Sequence, residues 1–266
     1  MLKNITIGQY YPGRSYVHNL DPRLKLMATL TLIVALFFVD TFIGYIPMIV
    51  LLFLTVKSSK IPVKMVLKGL KPLWFLITFT LVLHIFFTSG GRTLFSIWRI
   101  TIESAGVYQG FFMASRLALL VINTSILTLT TSPIALTDAI ESLLFPFRKI
   151  GVPAHELAMM MTIALRFIPT LLEETDKIMK AQMARGADFE SGNILKRAKA
   201  LVPLLVPLFI SAFRRADDLA MAMESRCYRG GEGRTKMKAL KATAKDYYPF
   251  VGAILLLILI IIIPFF

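Results

Sequence analysis

The sequence has a single cysteine, Cys227, so no disulfide can close within the chain and none stabilises the fold. It has three histidines, His18, His84 and His155, scattered over different segments, which argues against a histidine metal centre. His155-Glu156-Leu157-Ala158-Met159 opens like a zinc-protease helix, but the second histidine that must share the metal one turn later is Met159. There is no Gly-x-x-x-x-Gly-Lys-Ser/Thr loop to cradle phosphates; the glycine-rich Gly230-Gly231-Glu232-Gly233-Arg234 lacks the pattern. The first 23 residues contain Pro12, Gly13, Arg14 and Pro22 and no short apolar run ending at a small-residue cleavage site, so they do not read as a signal peptide. Acidic residues are also scarce, 16 against 30 Lys and Arg, and all charged types together make up 17% of the chain.

What fills the chain instead is apolar. Hydrophobic residues are 56% of 266 and the mean hydropathy is +0.69, well outside the range of soluble domains, which predicts an all-α membrane protein. Apolar runs predict about five transmembrane helices, near 26–39, 42–56, 72–88, 107–131 and 247–266. The first two form a tight hairpin turning at Asp40, because Lys3, Arg14, Arg23 and Lys25 precede it and Lys57, Lys60, Lys64, Lys68 and Lys71 follow it. Arg116 lies inside the fourth span, where a cation is costly in lipid and a pairing within the bundle is expected.

Twenty-seven of the 30 Lys and Arg fall in segments assigned to one side. The positive-inside rule therefore puts the N-terminus and residues 132–246 in the cytoplasm and the C-terminus outside. The basic excess is explained by topology and needs no nucleic acid. Residues 132–246 hold two further apolar runs, Leu157–Leu172 and Ala200–Phe213, which are interrupted by Arg166, Pro169, Pro203 and Pro207. They predict cytoplasmic or interfacial helices rather than spans: one near 133–149 and two long, Pro-kinked ones near 153–185 and 194–226.

The two long helices end alike. In each, an Asp stands nine residues before an Arg, Ala stands four before it, and small residues flank it: Ala184-Arg185-Gly186 and Ser225-Arg226-Cys227, offset by 41 throughout. Small flanks let a helix tip enter a narrow groove with one planar cation projecting, and arginine stays charged when desolvated. Tyr228-Arg229-Gly230-Gly231 offers a competing register that breaks the offset.

On these residues the chain resembles the transmembrane T component of energy-coupling factor transporters, ABC-type importers of vitamins and metals, over essentially its whole length. The resemblance implies a non-catalytic, cofactor-free energy-coupling subunit in the cell membrane of a prokaryote. It implies that Ala184, Arg185, Gly186, Ser225, Arg226 and Cys227 dock into two ABC ATPase subunits that hydrolyse the ATP. It also implies a membrane-embedded substrate-binding S component resting on the long helices. Met159, Met160, Met161, Met179, Met183, Met221 and Met223 lie in those helices, and methionine suits an adaptable contact surface. A membrane-embedded enzyme or a pore-forming ABC permease would need clustered polar chemistry in the spans, where polar residues are sparse.

Overall fold

The computed structural model describes residues 10–97, 100–189, 193–231, 240 and 242–262. Lys3, Glu232, Gly233 and Arg234, and the end of the last apolar run at 263–266, lie outside the described residues. The protein is an all-α membrane protein that carries, among the described residues, one small β-hairpin. Its described residues divide into two compact units, one within 8–139 and 238–266 and the other within 140–237.

The first unit begins with α1 (Tyr16–Asn19), capped by Ser15, and α2 (Pro22–Phe37). Asp21 caps α2 by accepting from the Arg23 amide at 2.9 Å, with Pro22 at the first helical position, where a missing N–H costs nothing. A turn containing Asp40 and a 3-10 segment (Phe42–Gly44) reverses the chain into α3 (Tyr45–Ser59). The short α4 (Val63–Lys68) and a 3-10 turn (Lys71–Leu73) lead to α5 (Trp74–Phe87). Strands β1 (Thr93–Ile97) and β2 (Ile100–Glu103) pair antiparallel, with a register irregularity between Thr93 and Phe95, before α6 (Ser104–Thr130). The last helix, α10 (Ala244–Ile262), returns from the far end of the sequence to pack along α2. Asp246 joins the two ends by accepting from the amides of Thr243 (2.6 Å) and Asp21 (3.4 Å).

Leu32, Leu36, Met48, Leu52, Phe112, Leu119 and Leu256 form the buried core between α2, α3, α6 and α10. Arg116, half-buried, packs against this core. Its guanidinium lies 4.9 Å over the Phe112 ring, Nε donates to the Tyr45 hydroxyl at 3.3 Å, and Nη2 donates to the Val39 carbonyl. The cation in α6 is thus met by a ring face and two oxygens, which is how a bundle tolerates it.

Helix α5 is held differently: no residue of it is buried, and Phe75 and Phe87 are about four-fifths exposed. It leans on α6 through two glycines one turn apart, Gly106 and Gly110. A Cβ at Gly106 would stand 2.7 Å from the His84 carbonyl oxygen and 2.8 Å from that of Thr88, and one at Gly110 would stand 3.0 Å from that of Leu81. Lipid tails are as apolar as leucine, so close backbone approach rather than water exclusion fastens such a pair.

Among the described residues, five helical stretches are long and apolar enough to cross a membrane: Phe42–Ser59, Val63–Phe87, Ser104–Thr130, Ala154–Ala184 and Ala244–Ile262. This set differs from the expected one at two places. Helix α2 has 16 residues and falls short, since at about 1.5 Å per residue it spans roughly 24 Å of a hydrocarbon core about 30 Å thick. Ala154–Ala184, expected as an interfacial helix, qualifies by length and composition because its apolar residues concentrate in its first half. The strands between α5 and α6 were not expected either. Ser89-Gly90-Gly91 breaks the chain after α5, and the β-branched and aromatic residues beyond it suit a ladder.

In the second unit, α7 (Pro133–Leu144), which straddles the boundary, passes through a 3-10 segment (Phe145–Ile150) into α8 (Ala154–Ala184), and α9 (Ile194–Glu224) follows. Both long helices run on through their internal prolines, Pro169 in α8 and Pro203 and Pro207 in α9.

Candidate docking site

Arg185 and Arg226 occupy the same place in the same local structure. Beyond α8, the Gly186 amide donates to the Met183 carbonyl (2.9 Å) and the Ala187 amide to that of Gln182 (3.0 Å). Beyond α9, the Cys227 amide donates to the Glu224 carbonyl (2.8 Å) and the Tyr228 amide to that of Met223 (3.0 Å). Each pair of bonds is a Schellman closure with the arginine as the last half-helical residue and the next residue left-handed: Gly186 at φ +88° and Cys227 at φ +58°. The geometry therefore pairs Arg226, not Arg229, with Arg185. Both arginines are exposed, and among the described residues neither guanidinium has a partner.

The second tip holds its closure with a side chain where glycine is preferred, at a cost of about 1 kcal/mol. Cys227→Gly should keep the tip and raise the thermal midpoint slightly. Cys227→Val, whose branched Cβ resists a left-handed backbone, should lower it and loosen the C-terminal turn of α9 in hydrogen exchange. Equal midpoints for glycine and valine would contradict the assigned geometry.

The helices bearing the tips meet at equivalent residues. Glu174 of α8 receives a 2.9 Å bond from Nη2 of Arg215 of α9, and these positions are 41 apart, the offset that relates the two tips. They run antiparallel where they touch. From the Glu174–Arg215 pair the contact moves back along α8 and forward along α9, to a cleft lined by Ile163, Phe167, Leu219, Ala220, Met223 and Tyr228. An antiparallel crossing at equivalent positions is a local two-fold arrangement. Each arginine lies 11 residues past its own member of the pair. That is about 16 Å along each axis, which for straight helices puts the tips on the order of 30 Å apart, facing opposite ways.

The chain leaving the second tip folds back on α8. Tyr228 enters the cleft, and Gly231 lies flush on the His155 imidazole, where a Cβ would come within 2.7 Å of the ring. His155 Nδ1 lies 3.0 Å from Glu141 Oε1 on α7. The partner of His155, absent at position 159, is thus a carboxylate fourteen residues upstream.

Of the seven methionines, Met160, Met183 and Met221 are exposed by half or more. Met159, Met161, Met179 and Met223 are half-buried, and Met223 faces the cleft.

The CbiQ family, described as cobalt transport protein, matches residues 13–237. Across 256 residues, 96% of each chain, the sequence is 60% identical to an energy-coupling factor transporter transmembrane protein of Thermosediminibacter oceani. The chain belongs to this transporter family. A second relative of that description, from Clostridium kluyveri, is 58% identical over 96% of this chain and 95% of its own. One from Bacillus subtilis is 48% identical over 96% and 97%. Membership makes the chain a transmembrane component of an energy-coupling factor transporter, a membrane protein whose relatives are named as transport components and not as catalysts.

Proposed function

We propose that the chain is the energy-coupling subunit of an importer for a vitamin or metal, in which two ABC ATPase subunits each receive one arginine tip. The observation that carries this reading is the antiparallel crossing of α8 and α9 at equivalent residues, which gives one chain two matching cations facing opposite ways. A pair of like ATPases offers two like grooves, and an internal two-fold is the simplest way for one subunit to meet both. Each guanidinium can pair bidentately with a groove carboxylate. ATP binding and hydrolysis in the partners then move the tips, and α8 and α9 pass that movement to a membrane-embedded S component through their exposed apolar residues, Met160, Met183 and Met221 among them.

In this arrangement residues 132–246 and the N-terminus face the cytoplasm of a prokaryotic cell and the C-terminus faces outside. Helix α8 lies against the inner surface without crossing. A span through its apolar first half would hold Arg166 in lipid and put the six Lys and Arg of residues 173–199 outside, against the positive-inside rule.

The sole cysteine makes a test possible without substitution. Cys227 is exposed beside Arg226, so a short thiol-to-amine cross-linker applied to the assembled transporter should join the chain to an ATPase subunit. Cross-linking to the S component alone, with no ATPase product, would overturn the docking assignment.

A further inference from the structure

The connection from α3 to α5 carries the most one-sided charge in the chain. No acidic residue occurs between Asp40 and Glu103, and five lysines, Lys57, Lys60, Lys64, Lys68 and Lys71, fall within 15 positions. All five are exposed, and among the described residues none makes an ion pair or a side-chain hydrogen bond. Orientation during insertion accounts for lysines on this side, but it requires no particular structure of them, and a mobile loop would serve as well.

The segment is nonetheless built. Lys60 adopts a left-handed conformation (φ +57°) to turn the chain out of α3. Ile61 and Val66 are buried at 5% and 3% exposure. Gly69 sits so close to α6 that a Cβ there would overlap the Ser125 hydroxyl. One face of α4 is thereby pinned to the bundle, and Lys64 and Lys68, one turn apart, stand on the opposite face with exposed Val63 and Leu67 beside them. Directly after Lys71 come the exposed rings of Trp74 and Phe75, of which tryptophan is a residue of the lipid–water boundary.

We propose that this lysine shelf binds the anionic headgroups of phospholipids in the adjoining leaflet. A fixed row of unpaired ammonium groups at the depth of the phosphodiesters, with apolar side chains reaching toward the acyl region, has the charge and the layering of that ligand. Acidic surfaces of a soluble partner would meet the same charges but would leave the apolar residues and Trp74 without a counterpart.

The test uses the purified full-length chain, stripped of lipid in a neutral detergent and exposed to an equimolar mixture of phosphatidylglycerol and phosphatidylcholine. Native mass spectrometry then counts the lipids retained. Wild type should keep phosphatidylglycerol in preference, and K64Q/K68Q/K71Q should lose about tenfold of that preference, with Lys57 and Lys60 left to orient insertion. The K64R/K68R/K71R variant should restore it, which separates loss of charge from loss of fold. Equal retention of the two lipids by wild type, or an unchanged preference in the glutamine variant, would overturn the proposal. So would displacement of the lipid by millimolar inorganic phosphate, which would mark the shelf as a site for free anions.

Discussion

A leucine at Gly106 should detach α5 from the rest of the bundle and lower the thermal midpoint of the detergent-solubilised protein by about 10 °C. The added side chain would meet the carbonyl oxygens of His84, Thr88 and Ile85, the first two under 3 Å from the Cβ position. Those are backbone atoms in the last turn of a helix and have no rotamer to change. Overpacking against atoms that cannot yield costs on the order of 3 kcal/mol, and a chain of this size shifts by roughly 2–4 °C per kcal/mol. The effect is large because α5 buries no side chain and has little besides this glycine contact to hold it. Gly252 in α10 is the control: nothing lies within 4 Å of its Cβ position, so Gly252→Leu should leave the midpoint within a few degrees. A thermal melt followed by size-exclusion fluorescence reads both variants. Equal midpoints for Gly106→Leu and wild type would show that α5 is fastened by something else.

Hydropathy and the distribution of Lys and Arg made the membrane class legible, because lipid imposes length and composition on every span. The two long helices were legible for a related reason: proline at a helix start and a small residue after its last turn are local signals, and α8 and α9 end within two residues of the expected 185 and 226. The matched tips were legible as a spacing. Their crossing was not, since Glu174 and Arg215 are unlike residues at equivalent positions, and a search for likeness passes over the complementarity that brings them together. The glycines at 106 and 110 were present as a small-xxx-small pattern in an apolar helix, a signal that could have been found. The bond between His155 and Glu141 and the stacking of Gly231 on His155 join segments of different spacing and leave no pattern in the sequence. The same holds for Arg116, whose partners Val39 and Tyr45 lie over 70 residues upstream.

The largest functional effect should come from reversing charge at both tips. An arginine paired with a carboxylate in a closed groove contributes about 3 kcal/mol, roughly a hundredfold in affinity, and a glutamate in its place adds repulsion. At a separation on the order of 30 Å the tips lie beyond the Debye length of about 8 Å at physiological salt, so the two losses add. Arg185→Glu or Arg226→Glu alone should weaken ATPase capture, and the double variant should abolish it. The fold should tolerate the change, because both arginines are exposed and without partners among the described residues. The expected cost is the fraction of a kcal/mol that an acid incurs at a helix C-terminus. The decisive measurement is the amount of ATPase that co-purifies with a tagged chain from membranes, normalised to the chain itself. The two-tip account predicts full insertion and no ATPase with Arg185→Glu/Arg226→Glu; ATPase recovered at the wild-type ratio would contradict it.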